Sequence, residues 1–429
     1  MSRAVITRAR NPLQGKIVVP GDKSISHRRA LLSLFVDGEI RLTHFNTGAD
    51  CACTLDCLER LGKTVRRQGD EIIISGAAES APGSLDCGNS GTTARLLMGV
   101  LAGHEGRWTL TGDDSLSRRP MERVAEPLRR MGAQIELTDG RLPARITGTR
   151  LRGIEYHALL PSAQVKSAVL LAALQADGVT RFREPVLTRD HTERLLGLAR
   201  DADGWLALDP RVVRVNADSL SARIPGDPSS AAFYLAAALL VSDSAVSVDA
   251  VLTNPTRTAY VEVLRDAGAP LTMENQSECH REHSSDISIR YGSLRAFTID
   301  HQRAAQCLDE IPALAVLATQ ASGTSEFCDL GELRVKESDR LELTARNLRR
   351  MGARVEQEGD RMTVKGNTAL RGAEIETAVD HRLAMAFAMA GLVSEGRTVI
   401  TQAESVAVSY PEFWSEFSRI AAGSVTVEP

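Results

Sequence analysis

Nothing in this sequence reads as a secretory leader or a membrane span. The N-terminus runs from a short Arg-containing lead directly into an apolar strand, Lys16 to Val19, and no stretch of about 20 apolar residues occurs. The expected location is therefore the cytoplasm. An excess of positive charge is missing too: 51 Lys and Arg stand against 55 Asp and Glu, a formal charge of −4. General nucleic-acid binding, which shows as a basic domain or stripe, is excluded on that ground. Paired cysteines are also lacking, since the chain has seven, an odd number. Cys51, Cys53 and Cys57 come nearest to a metal cluster, but they fall on an expected helix start and have no paired CxxC spacing, so reduced thiols and no metal are expected.

What is present is 429 residues of ordinary globular composition, 43% hydrophobic and 25% charged, enough for two or three domains. One stretch sets the pattern. In Val18-Val19-Pro20-Gly21-Asp22-Lys23-Ser24-Ile25-Ser26-His27-Arg28 a β-branched run stops at Pro-Gly, a short polar turn follows, and an apolar helix starts near Ser24. The free backbone N–H groups of that helix start, beside Lys23 and Arg28, suit an anion. The same grammar recurs at Leu85 to Arg95, His157 to Lys166, Ala222 to Ser230, Cys307 to Pro312 and Ala378 to Arg382, predicting helices from Gly91, Ser162, Ser229, Leu308 and His381. Being rich in Ala and Leu round most of their circumference, these helices should be buried.

A second marker repeats in step. Leu58 to Val65, Leu128 to Ile135, Leu264 to Leu271 and Leu348 to Val355 each read as a helix ending in Leu-x-x-x-Gly before a strand. The copies recur about every 70 residues, too far apart for a solenoid, and predict six small βαβαββ units. Three units form one domain, residues 21–225, and three form another, 226–429. The last unit is expected to lack its final strand and to borrow the opening strand of residues 1–20, so that the chain crosses between the domains twice and the site lies between them.

Cations collect in the predicted turns: Lys23, Arg28, Arg95, Arg119, Lys166, Arg189, Lys336, Arg340 and Arg382. Inside an acidic protein they point to a small, multiply charged anion. Asp309-Glu310 opens a buried helix, where two acids would be favoured by the helix dipole alone, but Asp309 is also placed to serve as a general base among cations. Lys336 and Arg340, four apart in Leu333 to Arg340, are expected to share a helical face. His381 reads more readily as a cap, whereas Arg382 is costly to bury without an anionic partner.

Taken together, Pro-Gly-Asp-Lys-Ser-Ile-Ser-His-Arg at 20–28, Gly-Asn-Ser-Gly-Thr at 88–92, Arg-Arg-Pro at 118–120, Ser-Ala-Gln at 162–164, Asp309, Arg-Val-Lys-Glu-Ser-Asp-Arg at 334–340 and Asp-His-Arg at 380–382 resemble the 5-enolpyruvylshikimate-3-phosphate synthase family over the whole length. The resemblance implies an α/β fold of two domains, each of three βαβαββ units around buried parallel helices. It implies transfer of the enolpyruvyl group of phosphoenolpyruvate to the 5-hydroxyl of shikimate 3-phosphate by addition and elimination, with no metal or organic cofactor, in a monomer. Lys23, Ser24, Arg28, Ser162, Ala163 through its backbone, Gln164, Arg189, Asp309 and Lys336 would then contact shikimate 3-phosphate. Lys23, Asn89, Gly91, Arg119, Gln164, Arg340, His381 and Arg382 would contact phosphoenolpyruvate. Asp309 would take the hydroxyl proton, Glu337 would handle the C3 proton, and Lys23 would assist both ends.

Some residues depart from the common family pattern. Val408 stands where many members have a Lys, Ala163 replaces a second Ser, and Arg189 replaces a Tyr. These features, with Arg189-Asp190-His191-Thr192-Glu193 and Asn254-Pro255-Thr256-Arg257, resemble the class II subgroup and imply tolerance of glyphosate, although Gly91 is the roomy residue of sensitive members. The nearest competing family, the UDP-N-acetylglucosamine enolpyruvyl transferases, carries a reactive Cys in a loop that here, Asp113 to Pro120, has none. A non-catalytic phosphate-binding clamp would use the helix starts but has no need of Asp309 and Glu337 among them.

Overall fold

A computed structural model describes residues 2–78 and 83–428. The chain forms two compact units. One, the N-unit, is Gly21–Ile224 with Glu278–Glu282; the other, the C-unit, is Met1–Pro20, Pro225–Ser277 and His283–Pro429. The short segment Glu278–Glu282, the tip of a hairpin between strands Leu271–Cys279 and Glu282–Arg290, therefore lies with the N-unit although both flanks belong to the C-unit.

The repeat is visible in the sheets. Gly83–Asp86 pairs in parallel with Arg107–Thr111, which is antiparallel to Arg141–Thr147, itself antiparallel to Gln134–Thr138. The C-unit copies this order in Thr298–Ile299, Thr324–Phe327, Arg361–Lys365 and Arg354–Glu358. Side chains alternate as a half-buried sheet requires: Leu110, Ala144 and Ile146 are in the core, and Arg107 and Arg145 face out.

The opening residues supply two strands, one more than expected. The strand before Pro20 spans Gln14–Ile17 and joins the fourth sheet, parallel to Ala245–Leu252. An earlier strand, Arg3–Thr7, inserts between Arg397–Thr401 and Val425–Glu428, antiparallel to both. Arg3–Thr7 thus holds the place that Arg141–Thr147 has in its own sheet, the final strand of the repeat, and Val425–Glu428 holds that of Gln134–Thr138: the last unit lacks its final strand and takes it from the opening residues, as expected. Ala4 and Ile6 are fully buried there, which is what anchors the insertion.

Six helices form the interior of the units: α1 (Lys23–Leu32), α2 (Gly91–Gly103), α3 (Ala163–Ala173), α4 (Pro228–Leu240), α5 (Ile311–Ala318) and α6 (His381–Gly391). Every residue of α4 and α6 is buried. Burial on all sides leaves backbone donors at each start without helical partners. Asp22, Ser90, Ser162, Asp227 and Asp380 each accept one, from the N–H of Ile25, Thr93, Val165, Ser229 and Arg382 respectively. The fifth helix starts at Ile311, not at Leu308, because Pro312 is tolerated only in a first turn.

The Leu-x-x-x-Gly markers are helix terminators. Gly62, Gly132, Gly268 and Gly352 have φ of 89°, 104°, 91° and 87°. The following residue of each, Lys63, Ala133, Ala269 and Ala353, donates its N–H to the carbonyl of the marker leucine at 3.0, 3.0, 2.9 and 2.9 Å. That six-to-one bond needs a left-handed residue just before the donor, which glycine supplies without a Cβ clash. Among the described residues no helix is long and apolar enough to cross a membrane.

Close helix packing makes one glycine testable. A Cβ on Gly99 of α2 would lie 2.2 Å from the carbonyl oxygen of Ala168 on α3. Alanine normally gains about 1 kcal/mol over glycine inside a helix, but overpacking a rigid backbone contact costs about 1–3 kcal/mol or more. Gly99→Ala should therefore lower the midpoint of thermal unfolding; an unchanged or higher midpoint would contradict this packing.

Candidate active-site residues

In the N-unit two clusters form at the starts of α1, α2 and α3. At α1, Arg28 is 3% exposed and its guanidinium donates to Thr192 Oγ1 at 2.9 Å, Ser167 Oγ at 2.8 Å and the Ser24 carbonyl at 3.0 Å. Arg189 reaches the Ser24 hydroxyl at 3.3 Å, so Ser24, Arg28 and Arg189 converge. Lys23 lies beside them, its Nζ 2.8 Å from Asp50 Oδ2. Three cations, Lys23, Arg28 and Arg189, thus gather at this helix start.

The second cluster joins α2 to α3. Gln164 accepts from Arg95 Nη1 at 2.7 Å and donates to Thr92 Oγ1 at 3.0 Å. Arg119 donates to Asn89 Oδ1 and to Ser115 Oγ, the latter at 3.2 Å, while Asn89 Nδ2 donates to Asp113 Oδ2 at 2.6 Å. Gly91 sits between the arginines: a Cβ there would lie 3.0 Å from Arg95 Nη1 and 3.2 Å from Arg119 Nη1. Ser162 caps α3, and Ala163 is its first residue. Arg95 was counted among the turn cations but not among the ligand contacts; its position four residues after Gly91, on the same face of α2, was the available signal.

Lys166 is misread by the sequence pattern. It is fully buried, 2.7 Å from Glu184 and 2.8 Å from Glu193, and offers nothing to a ligand. Being four residues into α3, it points into the helix packing, and Glu184 also accepts from Arg200. Burial pushes the thiol of Cys53, in the helix Ala49–Arg60, up to about 12, and a hydrogen bond with Cys57, then burial, pushes that of Cys87 well above the usual thiol range.

In the C-unit the cations have acids as partners. Arg340 is 1% exposed and donates to Asp380 Oδ2 at 2.7 Å, Asp309 Oδ1 at 2.9 Å and Glu337 Oε2 at 2.5 Å. Asp309 and Glu337 thus share one guanidinium. Burial alone would make the arginine easier to deprotonate, but the three carboxylates more than offset it and raise its pKa. Arg382 differs: it is 2% exposed, its nearest acid oxygen is Asp309 Oδ2 at 3.9 Å, and its Nε and Nη1 make no hydrogen bond among the described residues. Its guanidinium lies 6.0 Å from the centre of the Phe233 ring. A buried cation so sparsely matched suits an incoming anion. His381 is buried at the same helix start.

Lys336 and Arg340 do not share a helical face. Asp339 accepts from Glu342 N and begins the helix Arg340–Arg350, leaving Lys336 extended beyond a short 3-10 turn, Gly331–Val335. Burial pushes the Lys336 ammonium down to about 8, with Asp309 acting against the shift and Arg340 reinforcing it. Val408 ends another 3-10 turn, Ala403–Val408.

The chain matches the family model described as EPSP synthase (3-phosphoshikimate 1-carboxyvinyltransferase) over residues 7–417. A protein named 3-phosphoshikimate 1-carboxyvinyltransferase from Koribacter versatilis is 42% identical over 428 residues, covering 97% of this chain and 99% of its own length. One of the same name from Salinibacter ruber is 44% identical over 422 residues, covering 95% and 97%. Among solved structures, EPSP synthase from Acinetobacter baumannii aligns over 100% of both chains with a TM-score of 0.87 at 37% identity. The enolpyruvyl transferase NikO from Streptomyces tendae, at 18% identity and a TM-score of 0.78 over 100% and 99% of the chains, shares the fold.

The lowered lysine gives a pH dependence whose sign is fixed. Lys336 loses its charge as pH rises through about 8, so its attraction for an anion is present below that pH and lost above it. Affinity for inorganic phosphate, measured by calorimetry from pH 7 to 10, should fall across this range, and Lys336→Arg should flatten the fall. The same slope in both proteins would remove Lys336 from the anion site.

Proposed function

The chain belongs to the EPSP synthase family, and from that premise we propose how its two sets of residues divide the reaction. Its activity is that of a 3-phosphoshikimate 1-carboxyvinyltransferase: the enolpyruvyl group of phosphoenolpyruvate passes to the 5-hydroxyl of shikimate 3-phosphate and inorganic phosphate leaves. The N-unit supplies most of the binding. Ser24, Arg28, Arg189, Ser162 and the Ala163 N–H take the shikimate phosphate and ring, while Asn89, Gly91, Arg119 and Gln164 take phosphoenolpyruvate. In the C-unit, Lys336 assists the first substrate, and Arg340, His381 and Arg382 assist the second.

The chemistry falls to Asp309, Glu337 and Lys23. Asp309 accepts the 5-hydroxyl proton as the oxygen attacks C2, and Glu337 in its protonated form delivers a proton to C3. In the second step Glu337 takes a C3 proton back, the C2–O bond to phosphate breaks and the enol ether forms; the departing phosphate, its charge offset by Lys23, carries away the proton held on Asp309. The arginines hold two anions together against their repulsion, which combines orientation with electrostatic stabilisation. The observation that carries this reading is the single guanidinium of Arg340 at 2.9 Å from Asp309 and 2.5 Å from Glu337, which puts a base and a proton carrier on one cation. The enzyme is expected to act as a monomer, and the pathway chemistry is in keeping with the cytoplasm.

Phosphate release from phosphoenolpyruvate, dependent on shikimate 3-phosphate, tests the assignment. In that assay Asp309→Ala should lower kcat by about 10²–10⁴, the range for losing a general base. KM for phosphoenolpyruvate should not rise, because Arg340 and Arg382 lose a competing carboxylate. Turnover at the wild-type level would remove Asp309 from the mechanism.

Glyphosate is the second test. We propose a tolerant enzyme, with the ratio of glyphosate inhibition constant to phosphoenolpyruvate KM above one. The support is the absence of an ammonium at Val408 and the tight frame of Arg95 and Arg119 around Gly91. Gly91→Ala should raise the ratio further. A wild-type ratio well below one would show a sensitive enzyme.

A further inference from the structure

Behind Asp309 stands a second acid that the reaction leaves idle. Glu310 is fully buried, and its carboxylate accepts a hydrogen bond from the hydroxyl of Ser229 on α4. Ser229 Oγ in turn accepts from Arg257 Nη2 at 2.9 Å, a nitrogen that also lies 3.4 Å from Asp227 Oδ1. Arg257 is 2% exposed. One hydroxyl therefore bridges a buried guanidinium to a buried carboxylate. Burial and the charge of Glu310 keep the neighbouring Tyr260 phenol protonated.

The motif Asn254-Pro255-Thr256-Arg257 builds this bridge. Asn254 Oδ1 accepts from the Thr256 N–H at 2.8 Å and from the Thr256 hydroxyl at 2.9 Å, and the Arg257 N–H donates to the Asn254 carbonyl at 2.8 Å. Such a side-chain turn fixes where Arg257 leaves the backbone. The N-unit has a matching turn: Asn46 Oδ1 accepts from the Gly48 N–H at 3.0 Å, and soon afterwards Asp50 holds Lys23. In each unit an asparagine turn delivers a charged side chain to the start of a helix that bears chemistry.

We propose that Glu310, through Ser229 and Arg257, is a positioning residue for Asp309. The inference rests on Asp309 being the base. Asp309 itself is held at its carboxylate by Arg340 at 2.9 Å, and Glu310 anchors the backbone beside it. Helix α5 has no side-chain cap, and local backbone bonds run from Glu310 N and Ile311 N to the Cys307 carbonyl, at 2.9 and 3.1 Å, and from Leu314 N to the Glu310 carbonyl, at 3.0 Å. Glu310 is the adjacent residue, so anchoring its carboxylate sets the direction of the Asp309 side chain towards Arg340. A displacement of about 1 Å at such a group costs about 10²-fold in rate.

The test is Glu310→Gln in the full-length enzyme, with Asp309→Asn beside it. Glu310→Gln should lower kcat by about 10- to 100-fold, leave KM for both substrates within about twofold, and raise the solvent deuterium isotope effect on kcat as proton transfer to a misplaced base becomes limiting. Calorimetric stoichiometry for shikimate 3-phosphate fixes the folded fraction, so partial unfolding cannot mimic the result. Should the single variant fail to fold, Arg257→Met with Glu310→Gln removes both buried charges together, a replacement that folded proteins commonly accept, and the same three readouts apply. A kcat within twofold of wild type and an unchanged isotope effect overturn the inference while an inactive Asp309→Asn leaves the base intact. An active Asp309→Asn overturns both.

Discussion

The structure depends on helices that are apolar on every side. Such a helix is stable only when other elements cover it completely, and coverage leaves its first N–H groups facing either a cap or whatever enters from solvent. Five of the six starts are capped by an Asp or Ser that accepts a single N–H, and the remaining donors stay oriented outward. Most residues given a role lie within a few positions of a helix start: Lys23, Ser24 and Arg28 at α1, Asn89 and Gly91 at α2, Ser162 to Gln164 at α3, Asp309 at α5, and His381 and Arg382 at α6. The fold thus concentrates donors and cations where the chain emerges from its core. Each helix start adds about 0.3–1 kcal/mol towards an anion.

The two units then use charge differently. In the N-unit hydroxyls, carbonyls and amides orient the guanidinium groups of Arg28, Arg95, Arg119 and Arg189. In the C-unit Arg340 is matched by three carboxylates. Two unit charges about 4 Å apart interact by about 4 kcal/mol at an effective dielectric of 20, so a phosphate approaching Arg340 must compete with its existing partners. Arg382, with one acid at 3.9 Å, is the less contested cation of its unit. A carboxylate or phosphate oxygen therefore gains more from Arg382, and the role of Arg340 is as much to hold Asp309 and Glu337 together as to bind.

Local chemistry was legible in the sequence, and distant pairing was not. The Leu-x-x-x-Gly markers declared themselves because the bond that ends each helix spans only six residues. The helix starts were equally plain, to within three residues. The strand Arg3–Thr7 was hidden because its partners, Thr401 and Glu428 at the register of Arg3, lie at the other end of the chain. Lys166 looked like a ligand because it follows Ser162, and only the loop carrying Glu184 and Glu193 shows that its charge is already matched. Lys336 and Arg340 fit a helical spacing until Asp339 is seen to cap the helix between them.

Adjacent acids at the start of α5 show how the same residue type takes opposite tasks. The helix dipole favours both Asp309 and Glu310, and on that ground one of them is expected to cap. Neither does, because there is little to cap. The Ile311 N–H already bonds to the Cys307 carbonyl, Pro312 has no N–H, and the Leu314 N–H returns to the Glu310 carbonyl. Proline thus removes the donor that would have drawn a carboxylate onto the backbone. Successive side chains leave the turn in different directions, so Glu310 goes inward to Ser229 and becomes fully buried, while Asp309 stays 16% exposed beside two arginines. A capping acid would have had its oxygens committed to amides; the sequence Asp-Glu-Ile-Pro instead buries one carboxylate against Ser229 and sets the other beside Arg340 and Arg382.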